Sequence, residues 1–259
     1  MVRVLSGVTL AAVFLAVIWY ATPLLLLLVA LAVGALAFTE YARMAAAIGA
    51  PVPRAASLAA TLIALAMVPC PWVETESVLG VALIVVAAIV MARRPPPGSL
   101  ASVAAGLLAP IYIGLPLGAL VSVHAVAGRE AVLLLLATVV VSDTAQYYTG
   151  RTLGRRPLAA RLSPKKTLEG AIGGLVVAPA FFVAAGAVWL PGPGPATLAV
   201  AGLGIAAAGI AGDLFESMLK RAADIKDSST LIPGHGGVLD RIDALLFATP
   251  VFLLFLRLT

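Results

Sequence analysis

Pro23-Leu-Leu-Leu-Leu-Leu-Val-Ala-Leu-Ala-Val-Gly-Ala-Leu-Ala-Phe38 contains neither a charge nor a polar side chain. Extended to about residue 46 and coiled as a helix, it spans the roughly 30 Å of hydrocarbon in a bilayer. Comparable runs recur at about 4–20, 55–70, 77–92, 99–122, 130–149, 171–190, 196–215 and 244–258. Together they predict an all-α, polytopic integral membrane protein of about nine transmembrane helices. Composition agrees: 62% of residues are hydrophobic and 11% charged, against roughly 25% charged in a soluble domain. The mean hydropathy of +1.10 points the same way. No A-x-A-like cleavage site follows the first run and further runs come at once, so it is expected to be a retained helix, not a removed signal peptide.

Basic residues orient these spans, because loops rich in Lys and Arg stay on the cytoplasmic side. In a nine-span arrangement one side collects Arg3, Arg43, Arg54, Arg93, Arg94, the six basic residues from Arg151 to Lys166, and Lys220, Arg221, Lys226 and Arg241. The other side holds only Arg129 and Arg257. This places the N-terminus in the cytoplasm, together with the two long polar segments at about 150–170 and 216–243. The chain then divides into N-terminal transmembrane helices over 1–140 and a region over 141–259 that carries the polar chemistry. Positive-inside bias and anionic head groups account for Arg43, Arg54, Arg93 and Arg94. The net charge of +5 does not point to nucleic acid, since the basic residues sit in short juxtamembrane loops without interleaved aromatics. Cys70 is the only cysteine, which excludes an internal disulfide and a cysteine-based metal site. The Pro/Gly runs at 95–98 and 191–195 read as tight loops.

The polar segments hold three groups of residues. At the end of the sixth run, Asp143, Gln146, Tyr147 and Gly150 share one helical face. In Ser163-Pro164-Lys165-Lys166-Thr167-Leu168-Glu169-Gly170, Ser-Pro followed by a glutamate predicts a helix start, and two lysines beside a helix N-terminus attract phosphate. Gly170 and Gly174 form a small-xxx-small pair that favours close helix packing. Further on, Asp213 follows the uncharged residues 196–212 and is expected at membrane depth, where a carboxylate is a functional candidate. If one helix runs to about 227, Asp213, Ser217, Lys220, Asp224 and Asp227 form one stripe. The turn Ile232-Pro233-Gly234-His235-Gly236-Gly237 is too rich in Gly and Pro to stay helical. It is expected to bring backbone amides close to an anion, with His235 as a ligand contact. Asp240 and Asp243, three apart on a helix, are expected to share a cation. Ligands that are all oxygen suit Mg²⁺.

The segment Ser217 to Asp243 reads S-x-L-K-R-x4-K-D-x-S-x2-I-P-x-H-G-G-x2-D-R-x-D, and 163–174 carries S-P-K-K-T-x-E-G-x-x-G-G. Both resemble the blocks of phosphatidate cytidylyltransferases, the CDP-diacylglycerol synthases. The specific part of the resemblance covers roughly 143–243; residues 4–140 match only as hydrophobic spans. It implies transfer of the cytidylyl group of CTP to phosphatidate, with release of pyrophosphate, at the cytoplasmic face of the cell's inner membrane. It also implies Mg²⁺, with a monovalent cation such as K⁺ as a second candidate, and a homodimer. Asp213, Asp240, Asp243 and Asp143 are then the expected metal ligands. Lys166, Lys220, Arg221, Lys226, Asp227, His235 and Arg241 are expected to be catalytic, and Ser163, Lys165, Lys166, Gly236 and Gly237 to bind nucleotide.

Two rival classes share parts of this pattern. A CTP-dependent polyprenol or phytol kinase would need a general base for a lipid hydroxyl and would release CDP. A transporter also has buried acids and Gly-broken helices, but here the charges cluster at one end and no inverted repeat is visible.

Overall fold

A computed structural model describes residues 16, 18–20, 22–70, 72–92, 98–232, 234 and 236–259. Most of the first apolar run with Arg3, the segment with Arg93, Arg94 and Pro95–Pro97, and Pro233 and His235 lie outside the described residues. The helices are α1 (Pro23–Ala47), α2 (Arg54–Met67), α3 (Thr75–Ala92), α4 (Ser99–Ala109), α5 (Leu115–Leu153), α6 (Leu168–Trp189), α7 (Pro195–Ala222) and α8 (Leu239–Leu258). A π-helical turn, Pro110–Gly114, joins α4 to α5, and a two-stranded hairpin, β1 (Pro157–Ala159) and β2 (Ser163–Thr167), precedes α6. This is an all-α membrane protein: among the described residues, five helical stretches are long and apolar enough to cross a bilayer.

Two differences from the expected spans have local causes. Residues 99–122 and 130–149 lie in one helical stretch, Ser99–Leu153, interrupted inside α5 at Gly128, whose φ of 80° and ψ of −179° are non-helical. Only glycine adopts that conformation without strain. The apolar helix α2 has 14 residues, about 21 Å at 1.5 Å per residue, and is too short to cross a bilayer by itself.

The chain forms two compact units. One comprises 1–122 with 219–242, the other 123–218 with 243–259. In the first, α1 starts at N-cap Thr22, whose hydroxyl accepts from the Leu25 amide, with Pro23 in the first turn. It ends on Gly49 (φ 88°), with Gly49 N–H donating to Ala46 and Ala50 N–H to Ala45, the pair of bonds that closes a helix through a left-handed residue. The π-helical turn packs on α2: a Cβ on Gly114 would come within 2.6 Å of the Thr61 carbonyl. Ala37, Leu65, Val86 and Ile113 are fully buried here.

In the second unit the core is aromatic and aliphatic. Phe182 and Phe252 meet edge to face at 5.7 Å, the arrangement ring quadrupoles prefer. The face of α6 that bears Gly170 and Gly174 lies directly on α5, where a Cβ at either glycine would come within 2.7 Å of Gln146 atoms. The small-residue pair therefore serves helix packing, as its spacing predicts.

Candidate functional site

The hairpin of the second unit sets out the first group of polar residues. Pro157 pairs with Thr167 and Ala159 with Ser163. Residues 163–167 are therefore a strand, and the helix expected to begin at Ser163-Pro164 begins instead at Leu168. Thr167 is its N-cap, with the hydroxyl accepting from the Gly170 amide at 3.1 Å. Glu169 faces back to the hairpin base and accepts from the amides of Arg155 at 3.0 Å and Arg156 at 3.2 Å. The register shifts between these two pairs, so β2 is bulged and does not alternate regularly. Lys165 is exposed, as is Pro164, while Ser163 is half-buried. Lys166 is half-buried and donates to the carboxylate of Asp213 on α7.

Asp213 has a second, weak partner in the Ser217 hydroxyl at 3.5 Å. On α5, Gln146 donates to Asp143 at 3.1 Å and to the Ser142 hydroxyl at 3.3 Å. Asp143 lies close enough to interact electrostatically with both Asp213 and Lys166. The second unit thus brings together three expected site residues: two carboxylates and one ammonium. The pair is half open, with the side chains of Lys166 and Asp213 exposing 23% and 32% of their surface.

The first unit builds its polar group differently. The helix expected to run to about 227 ends at Ala222, because Asp224 takes a left-handed conformation, φ 55°. The Asp224 amide donates to Arg221 and the Ile225 amide to Lys220, closing α7 as Gly49 closes α1. Asp224 and Asp227 therefore leave the expected stripe. Arg221 helps close this end by donating to the Ile225 carbonyl at 3.1 Å. Arg221, Lys226, Asp227 and Arg241 are exposed. Lys220 turns to Asp240 in the first turn of α8 and donates to Oδ1 at 2.6 Å.

Asp240 is the hub of this group. Its Oδ2 accepts from the Ser228 amide, the Ser228 hydroxyl and the Gly237 amide, each at 2.8 Å. Burial pushes its pKa up, but Lys220, the Gly237 amide and Ser228 outweigh this and hold it at about 2, below the ordinary 3.8. The turn before it is closed by the Ile232 amide donating to the Gly236 carbonyl at 2.9 Å, with Gly234 and Gly236 at positive φ. Asp243, in the second unit, accepts at Oδ1 from the Ala244 amide at 2.7 Å.

One residue outside the expected set belongs to this group. Glu40, near the end of α1, is only 2% exposed. Its Oε1 accepts from the Ser229 hydroxyl at 2.6 Å and the Val238 amide at 3.0 Å. Its Oε2 accepts from the Ser228 hydroxyl at 2.9 Å and the Leu239 amide at 2.8 Å. The partners lie 188 to 199 residues away in sequence, so no local pattern reveals them. The only signal in the chain is a lone carboxylate at the end of an otherwise apolar run.

The donor set bears on which metal these residues suit. Among the described residues no group of three or more His, Cys, Asp or Glu is placed to hold an ion. That excludes an all-protein cage there. Asp143 and Asp213 offer oxygen donors alone, the donor type of Mg²⁺, which is bound through one or two carboxylates and completes its shell with water and substrate phosphates.

A sequence profile described as the cytidylyltransferase family matches residues 1–259. The chain is 43% identical over 137 residues to the phosphatidate cytidylyltransferase of Helicobacter pylori, covering 53% of this chain and 51% of that protein. It is 40% identical over 152 residues to the phosphatidate cytidylyltransferase of Bacillus subtilis, covering 58% and 56%. It is also 44% identical over 130 residues to the uncharacterized Escherichia coli protein YnbB, covering 50% and 43%. The chain spans about half the length of the curated relatives it matches.

Proposed function

The chain belongs to the cytidylyltransferase family, and from that premise we propose that it transfers the cytidylyl group of CTP to phosphatidate, giving CDP-diacylglycerol and pyrophosphate. The observation that carries the reading is the half-open Lys166–Asp213 pair beside Asp143, set among long apolar helices. A lipid phosphate and a nucleotide triphosphate are both polyanions, and one of them is anchored in the bilayer. Their reaction calls for cations, metal-holding carboxylates and an apolar surround in one protein.

In the proposed step a phosphate oxygen of phosphatidate forms a bond to the α-phosphorus of CTP. The bond from that phosphorus to the oxygen bridging the β-phosphate breaks, and pyrophosphate leaves with the electron pair. A phosphate monoester with a second pKa near 6 is already ionised at neutral pH, so no strong general base is required. When bound, Mg²⁺ would supply positive charge to offset the negative charge developing on the leaving group. Asp143 and Asp213 would hold it, with Asp240 and Asp243 the further proposed ligands. Lys165, Lys166, Lys220, Arg221, Lys226 and Arg241 would bind the triphosphate or the lipid phosphate, the arginines by forked contacts and the lysines as point charges. Ser163, Asp227 and His235 complete the proposed set, and Gly236 and Gly237 shape the turn around Asp240. The positive-inside count supports a site facing the cytoplasm. The homodimer rests on the family resemblance alone.

Phosphatidate-dependent release of pyrophosphate from CTP, by purified protein with Mg²⁺, tests the proposal. A lipid kinase would release CDP from CTP and would need a lipid alcohol, and that outcome would replace this reading.

A further inference from the structure

Glu40 has no place in the proposed chemistry, yet it is buried and has as many hydrogen-bond partners as Asp240. Its two oxygens face four donors, one of which, the single proton of the Ser228 hydroxyl, is shared with Asp240. The donors come in two pairs. Ser228 and Ser229 enter the loop that carries the Gly-rich turn; Val238 and Leu239 leave it. Holding entry and exit together closes the loop, and the bonds to Glu40 offset the conformational entropy that closure costs. The Val238 and Leu239 amides also belong to the start of α8, whose first amides have no partner within the helix. Glu40 supplies them with acceptors and puts a negative charge at a helix N-terminus, where the dipole favours it.

The contact reaches further through one hydroxyl. Ser228 Oγ lies 2.9 Å from Glu40 Oε2 and 2.8 Å from Asp240 Oδ2. It joins the carboxylate of α1 to the carboxylate that pairs with Lys220. Gly237 keeps the space open, since a Cβ there would come within 2.6 Å of both Glu40 oxygens.

We infer that Glu40 is a positioning residue, which acts through Ser228 and the loop 228–239 to hold Asp240, and with it the Lys220 ammonium, in a fixed place. A function for Lys220 in binding phosphate rests on the reading above; its placement by Glu40 does not. Glutamine in place of Glu40 keeps the length but offers one carbonyl oxygen, and its NH₂ group must face a backbone N–H and a serine hydroxyl. The loop then loses one of its two anchors.

The experiment compares the full-length wild type with Glu40→Gln, Ser228→Ala and the double variant in detergent. It follows acetylation of each lysine by mass spectrometry alongside kcat and KM for CTP. Lys220 is shielded by its pairing, and Lys166, paired with Asp213 in the other unit, serves as the internal control. Local release of the loop raises the acetylation rate of Lys220 by about tenfold in Glu40→Gln and leaves Lys166 unchanged. Turnover falls by about tenfold or more with KM within about twofold, and the double variant is no worse than Glu40→Gln alone, because the two residues act in one chain. Equal exposure of Lys166 and Lys220 would make Glu40 a general stability residue and overturn the inference. An unchanged Lys220, or losses that multiply in the double variant, would overturn it also. Should the wild type transfer no cytidylyl group, the lysine rates still decide the placement claim while the functional reading falls.

Discussion

The two Lys–Asp pairs are chemically the same and structurally opposite. Lys166–Asp213 exposes 23% and 32% of its side chains, and beyond the lysine Asp213 has one long contact, to Ser217. Lys220–Asp240 exposes 13% and 6%, and Asp240 accepts three further bonds at 2.8 Å. A carboxylate with spare lone pairs and water access is able to exchange partners, as binding a metal or releasing a lysine to a phosphate requires. A carboxylate held from four sides defines a position. Breaking a buried pair by removing one partner costs about 3–5 kcal/mol, whereas an exposed pair contributes little to stability. The open pair is able to exchange partners, whereas the closed pair fixes the position of the Lys220 ammonium.

The largest effect is expected at the open pair. Asp213→Asn should lower turnover by at least about 100-fold with the melting temperature almost unchanged; retention of about half the activity would remove Asp213 from the chemistry. Asp240→Asn should lower turnover and also the melting temperature by several degrees, because Asn offers one acceptor oxygen and no charge to Lys220, Ser228 and Gly237. A melting curve identical to wild type would erase the distinction between the pairs.

A smaller effect comes from acid. The Asp240 pKa is held at about 2, below the ordinary 3.8, so the folded state favours the ionised form. Its contribution to stability is complete above about pH 4 and is lost as the pH falls toward about 2. Unfolding measured between pH 5 and about pH 2 should show this slope in wild type and a shallower one in Asp240→Asn. The smallest effect is expected from Lys165→Ala, which should raise KM for CTP a few-fold. Lys166→Ala should cost roughly tenfold more in kcat/KM, because Lys166 pairs with Asp213 while Lys165 is exposed. Equal effects would mean that this pairing does not distinguish the two lysines.

The helices were legible because long uncharged runs allow little else in a bilayer. The residue pairs were legible in kind, but their partners were not. The hairpin carries little sequence signal, because Pro157–Thr167 lacks alternating apolar residues and the Ser-Pro at the start of β2 mimics a helix cap. The end of α7 lies about five residues before the expected one because Asp224 performs the left-handed turn that Gly49 performs at α1, and an aspartate signals such a turn far more weakly than a glycine. Glu40 read as a charge near a span end, since its four partners lie some 190 residues away in sequence.

The most direct test of the account is to supply purified wild-type protein with phosphatidate, Mg²⁺ and CTP labelled at the α-phosphorus, and to count label in the lipid phase. The account predicts label in the lipid matched one to one by pyrophosphate. Folded protein, with Lys166 and Lys220 shielded, that leaves all label in the aqueous phase would contradict it.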